Sequence, residues 1–92
     1  MFLVGENGAL VSLVGGVLTV YHPGGPEAWL VVRPYGAEDD EAQMEVVYSA
    51  EPLWVRQVLH EITQRIAGGA HVVAIDEVIE AMEAAEREAV RA

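Results

Sequence analysis

The sequence predicts an α+β domain in which an antiparallel sheet of about five strands, connected as a meander, precedes two C-terminal helices packed on one face. Two observations predict this fold. Short, valine-rich runs separated by turn residues fill the first half of the chain, and apolar residues recur at helical spacing in the second half. With 92 residues, the chain has the length of one domain, 1–92, in which residues 1–49 are strand-rich and residues 50–92 are helical.

Turn residues divide the first half into five predicted strands. Asn7-Gly8 is the commonest pair in a type I′ hairpin turn, and Gly15-Gly16 offers a second two-residue turn. The segment 23–26 contains two prolines and two glycines and is a loop, because proline lacks a backbone donor and fixes φ. Short connections favour antiparallel pairing. The predicted strands are 1–4, 9–14, 17–22, 28–33 and 43–49.

The first predicted helix begins near Pro52, with Ser49 or Glu51 as its cap, and ends at Gly68-Gly69. Its apolar residues recur three and four positions apart, so they share one face, and a polar set lies on the other face. The apolar set is Val55, Val58, Leu59, Ile62 and Ile66, and the polar set is Arg56, His60, Thr63 and Gln64.

The chain after the first helix has two interpretations. The apolar run 71–75 is either a sixth strand or the entry to the second helix. Asp76 is the expected N-cap of that helix, and Glu77 and Glu80 suit the positive end of its dipole. The predicted inner stripe of the second helix is Val78, Met82, Ala85 and Ala89.

Charge and composition exclude several classes of protein. The formal net charge is −10, and the five basic residues are all arginine. Such a chain repels nucleic-acid phosphates and anionic membrane surfaces, so we expect neither as a direct partner. The longest uncharged stretch, 8–26, has too short an apolar core to span a bilayer. Without cysteine, no disulfide or thiolate zinc site is available. We expect a cytoplasmic protein, and the absence of lysine suggests a bacterial or phage genome of high GC content.

The predicted strands carry more apolar side chains than one buried face needs. Val11 and Leu13 alternate with Leu10 and Val14, so both faces of that strand are apolar. Two helices can cover only one face of the sheet. The other face is covered by a second copy of the chain, by a different protein, or by the sheet curling into a partial barrel. We therefore expect self-association, with a homodimer as the simplest form.

The sequence contains no convincing catalytic, cofactor or metal site. The segment 60–64 resembles a His-Glu-x-x-His zinc motif, but Gln64 replaces the second histidine, and His60 lies on the predicted solvent face. His22 and His71 come from other regions, and the sequence does not show whether the three histidines meet. We expect a protein that is not an enzyme and that has no cofactor.

The candidate partner-binding residues lie around an acidic loop. Tyr35 stands between a proline and a glycine at the start of the loop. An exposed aromatic residue beside acidic residues is typical of a binding hot spot. The loop lacks the spacing of a calcium site, so it either contacts a basic partner or is a solvated surface loop. The candidates are Tyr35, Glu38, Asp39, Asp40, Glu41 and Glu45.

These features favour a small acidic protein-binding module that covers a basic or apolar surface of another protein. An inhibitor, an immunity-type factor, an adaptor and a mimic of nucleic acid all belong to this class. The alternative is a self-assembling structural subunit of a larger complex. A small enzyme or ligand-binding domain built from the histidines is a third hypothesis.

Overall fold

The computed structural model describes residues 1–36 and 41–91, and these residues form an α+β fold with two three-stranded sheets and two helices. A short 3-10 helix, Glu41–Gln43, precedes the fifth strand. The strands are β1 (Phe2–Val4), β2 (Leu10–Ser12), β3 (Gly16–Tyr21), β4 (Ala28–Pro34), β5 (Glu45–Ala50) and β6 (Val72–Ala74), and the helices are α1 (Pro52–Ala67) and α2 (Ile75–Arg91).

The first sheet has the strand order β2-β1-β6 and mixes two kinds of pairing. β2 pairs with β1 in the antiparallel direction, whereas β6 pairs with β1 in the parallel direction. The register places Leu3 between Val11 and Val73. All three side chains are buried, with exposures of 0%, 7% and 3%, and this row is the contribution of the first sheet to the core.

The predicted hairpin between β1 and β2 is present, but its turn is not of type I′. Type I′ needs positive φ at both central residues, and among the described residues only glycines have positive φ. Gly8 N–H donates to the Gly5 carbonyl at 2.9 Å, and Gly8 has φ of 83°. The Asn7 side-chain oxygen accepts from Ala9 N–H at 3.0 Å, an Asx arrangement that favours this wider turn.

The predicted five-stranded meander is wrong, because β2 does not pair with β3. Gly16 N–H donates to the Leu13 carbonyl at 3.2 Å, which turns the chain out of the first sheet. Leu13 packs against the core in this turn, so the Gly15-Gly16 pair marks a crossing between sheets and not a hairpin. The apolar run after α1 then supplies the missing partner of β1, since it forms β6 before α2 begins.

The second sheet has the order β3-β4-β5 and is antiparallel throughout. A β-bulge between Leu30 and Val31 shifts the register against β5. Glu6 N–H donates to the Val47 carbonyl at 2.8 Å, so the end of the first hairpin is tied to β5. A Cβ at Gly5 would lie 3.1 Å from the Asn7 side-chain oxygen, so glycine leaves room for the turn that positions Glu6.

The helices do not both pack on the sheet that the first half of the chain was predicted to form. α1 packs on all three strands of the second sheet and also on β6, whereas α2 packs on β6 and on α1. The predicted inner face of α1 is confirmed, because Val55, Val58 and Ile62 are fully buried. α1 begins at Pro52 after Glu51, whose side chain makes no capping hydrogen bond, and its C-cap is Gly68.

The second helix starts one residue earlier than its predicted cap. Ile75 is already helical and fully buried, so Asp76 lies in the first turn and is not the N-cap. The predicted inner stripe is only half correct. Val78 is buried and Met82 is half-buried, but Ala85 and Ala89 are exposed.

Two leucines on neighbouring positions of the first sheet provide a matched test of this packing. Leu3 is fully buried and Leu10 is 63% exposed. We expect Leu3→Ala to lower the free energy of unfolding by about 2–5 kcal/mol, because it leaves a cavity in the core. Leu10→Ala should cost less than about 1 kcal/mol. Urea denaturation followed by circular dichroism measures both, and equal losses would contradict the assigned faces.

Candidate protein-binding site

The outer face of the first sheet is apolar and carries no charged side chain. Side chains alternate across a strand, so the residues next to the buried row point away from the core. Phe2 lies in register with Ser12 and Val72, and Val4 lies in register with Leu10 and Ala74. We call this surface the neutral face, and its residues are Phe2, Val4, Leu10, Ser12, Val72 and Ala74.

Three large side chains of the neutral face are open to water. Leu10 is 63% exposed, Val72 is 57% exposed and Phe2 is 40% exposed. Phe2 and Val72 are direct neighbours across strands, and Leu10 lies on the diagonal from Phe2, so the three form one patch. A contiguous exposed apolar patch of this kind is typical of a binding surface.

The sequence predicted some of this face. The alternation in β2 placed Leu10 opposite Val11, and the structure shows Leu10 outside and Val11 in the core. Phe2 and Val72 were missed, because β1 and β6 have only three residues each and their central position in one sheet depends on a parallel pairing distant in sequence. The uninterrupted apolar run at residues 1–4 was the available signal.

The predicted partner-binding residues fall only partly within the described residues. Tyr35 is 83% exposed, as expected, and its N–H donates to the Gly15 carbonyl at 2.9 Å. Glu45 begins β5 and lines a groove of about 380 Å³ between the sheets together with Leu10 and Arg33. Glu45 and Arg33 thus share this groove with one residue of the neutral face, Leu10. Glu38, Asp39 and Asp40 lie outside the described residues, and Glu41 begins the short 3-10 helix.

A second surface lies between the N-terminal half of α1 and the C-terminal half of α2. We call this cavity of about 710 Å³ the helix groove. Leu53, Trp54, Met82 and Ala85 supply its apolar lining. Charged and polar side chains surround them, namely Glu51, Arg56, Gln57, His60, Glu61 and Glu86.

One side chain of the helix groove, Trp54, is held in place by a hydrogen bond to β5. The Trp54 indole N–H donates to the Tyr48 hydroxyl oxygen at 2.9 Å, which links α1 to β5. Burial raises the pKa of Tyr48 above its usual range; the hydrogen bond from Trp54 opposes this, and the carboxylates of Glu6, Glu83 and Glu27 add to it. Trp54 is half-buried, so its indole is positioned by β5 while some of the ring faces the groove.

The three histidines are all exposed, which confirms the solvent-facing position predicted for His60. His22 follows β3, His60 lies on α1 and His71 precedes β6. Among residues 1–36 and 41–91, no three histidine, aspartate or glutamate side chains are grouped closely enough to hold a metal ion.

Comparisons with known proteins found no match to a protein-family model, to a curated protein or to a solved structure. Within the described residues, neither helix combines the length and apolar character needed to cross a bilayer.

The Tyr48 hydroxyl generates a prediction about alkaline stability. Its raised pKa means that the folded state holds the phenolic proton more tightly than the unfolded state does. The resulting stabilisation is complete below the unfolded pKa of 10.0 and is lost as the pH rises through the higher folded pKa. We expect Tyr48→Phe to reduce the alkaline loss of unfolding free energy, measured by urea titration between pH 8 and 11.

Near neutral pH, Tyr48→Phe should slightly lower the free energy of unfolding. Tyr48→Phe removes the acceptor for Trp54, which costs about 0.5–1.5 kcal/mol. Tyr35→Phe is the control, because Tyr35 is 83% exposed. An identical alkaline loss for the wild type and Tyr48→Phe would contradict the prediction.

Proposed function

We propose that this protein is a non-enzymatic, acidic protein-binding module, and that its neutral face is a principal contact surface. The observation that supports the proposal is the exposed patch of Phe2, Leu10 and Val72 on a sheet face without a charged residue. A partner that covers the patch gains the free energy of burying apolar surface without desolvating a charge.

The acidic residues give the module a preference among partners. The described residues of α2 include six carboxylates in one helix, and Glu45 lines the groove that also holds Leu10 and Arg33. Negative charge around an apolar contact steers basic partners toward it and repels acidic ones. An apolar surface with a basic border is therefore the chemistry that this module fits best, and binding such a surface is compatible with an inhibitor, an immunity-type factor, an adaptor or a nucleic-acid mimic.

Self-assembly into a structural subunit or a homodimer is the second candidate function. It is favoured by the same neutral face, because two chains with net charges of −10 can meet there without placing carboxylates opposite one another. The two candidates respond oppositely to salt. Screening weakens attraction to a basic partner, but it reduces the repulsion between two acidic copies and so strengthens self-association.

Photo-crosslinking tests the proposed contact surface. Benzoylphenylalanine replaces Phe2 in the full chain, expressed in its native host, and adducts are analysed by mass spectrometry. We expect one defined adduct, because the probe lies in the patch that the partner covers. Val72→Ser in the same chain should abolish the adduct, since Val72 is the cross-strand neighbour of Phe2.

Leu53 provides the matched control. It is 61% exposed and lies in the helix groove, whereas Leu10 is 63% exposed and lies on the neutral face. Leu10→Ser should reduce the adduct and Leu53→Ser should leave it unchanged. Failure to form an adduct, or an equal loss of adduct with both variants, would contradict the proposal.

Sedimentation velocity at low and high salt separates the two candidate functions. An adduct between two copies of the chain, together with association that strengthens with salt, identifies self-assembly. An adduct with another protein, together with binding that weakens with salt, identifies the hetero-partner module.

A further inference from the structure

The helix groove is a second apolar surface, separate from the neutral face. Its lining includes Leu53, which is 61% exposed, and Trp54, which is half-buried, both near the start of α1. Met82 and Ala85 of α2 complete the apolar lining. No residue of the neutral face lines the groove, so a ligand could occupy one surface without the other.

The apolar stripe of α2 continues beyond the turns of the helix that the core covers. Ile75 and Val78 are buried, Met82 is half-buried, and Ala85 is exposed. These residues follow one another at three- and four-residue spacing, so they lie on one side of α2. The apolar side of α2 therefore continues along the groove beyond the turns that are buried in the core.

The charged side chains around the groove determine which sign of charge a ligand should carry. Three carboxylates line it, on Glu51, Glu61 and Glu86. Arg56 is the only arginine in the lining. The lining is thus net negative, because its carboxylates outnumber its cationic groups. A ligand with basic residues beside its apolar side chains is complementary to this arrangement.

The walls of the groove select the backbone conformation of its occupant. Both walls are helices, whose central backbone groups are already hydrogen-bonded, so an extended strand would bury its N–H and C=O groups without partners. A helix satisfies its own backbone and packs its ridges into the groove between two others. The cavity of about 710 Å³ has room for several inserted side chains, with the rest of the helix remaining outside.

We infer that the helix groove is a docking site for a basic amphipathic helix from another protein. The apolar side chains of the docked helix contact Leu53, Trp54, Met82 and Ala85. Its basic side chains lie toward Glu86 and Glu51. This inference goes beyond the proposed function, because it assigns a second surface and the chemistry of its ligand.

A designed peptide tests the inference directly. The probe is an 18-residue peptide with leucine at helical i, i+3, i+4 and i+7 positions and lysine elsewhere. The full chain carries Trp29→Phe, which leaves Trp54 as the only tryptophan. We expect saturable 1:1 binding and a shift of Trp54 emission to shorter wavelength. A peptide with glutamate in place of lysine should bind at least tenfold more weakly.

Matched variants locate the binding surface. Leu53→Ser should weaken binding of the lysine peptide about tenfold, because it removes an apolar contact. Leu10→Ser, which changes an equally exposed leucine on the neutral face, should leave the affinity unchanged. Glu86→Gln should weaken binding about threefold at low ionic strength, and high salt should remove this difference.

Amide chemical shifts of the wild-type chain give a readout that does not depend on any variant folding correctly. The lysine peptide should perturb Leu53, Gln57 and Ala85 more than Leu10 and Val72. Equal binding of the two peptides, equal effects of Leu10→Ser and Leu53→Ser, or perturbations centred on the neutral face would each overturn the inference. None of these results depends on the photo-crosslinking outcome, so the proposals for the two surfaces are tested independently.

Discussion

The structure depends on one layer of apolar side chains to which both sheets and α1 each contribute a single face. Leu3 from the first sheet, Leu30 from the second sheet and Ile62 from α1 are all fully buried in this layer. A chain of 92 residues can fill about one such layer. Both proposed contact surfaces carry apolar side chains outside this layer, such as Leu10 and Leu53.

The two surfaces differ in how charge surrounds them. The neutral face has no charge within it, so shape and apolar burial decide what fits. The helix groove has carboxylates beside its apolar lining, so the sign of the ligand's charge contributes to recognition. Under the two proposals above, one small acidic protein would join two partners of different chemistry, which favours the adaptor among the proposed functions.

The sequence predicted local structure well and the arrangement of strands poorly. The α1 helix followed from Val55, Val58 and Ile62, whose spacing and burial agree, and Gly68-Gly69 marked its end. Local signals could not show that β6 pairs with β1, because that contact joins residues about seventy positions apart and parallel pairing has no turn signature. For the same reason, the surplus of apolar strand faces was predicted, but Phe2 and Val72 were not. The helix groove depends on Leu53 and Ala85 becoming neighbours, which is a tertiary relation.

The place of β1 between β2 and β6 has a consequence for biosynthesis. Val4 pairs with Leu10, which follows within a few residues, but also with Ala74, which is translated about seventy residues later. During synthesis the first hairpin therefore has one open edge and an unfilled core side until β6 has left the ribosome. Contacts of such long sequence separation form late, and the nascent hairpin is the segment that most needs protection from other unfinished chains.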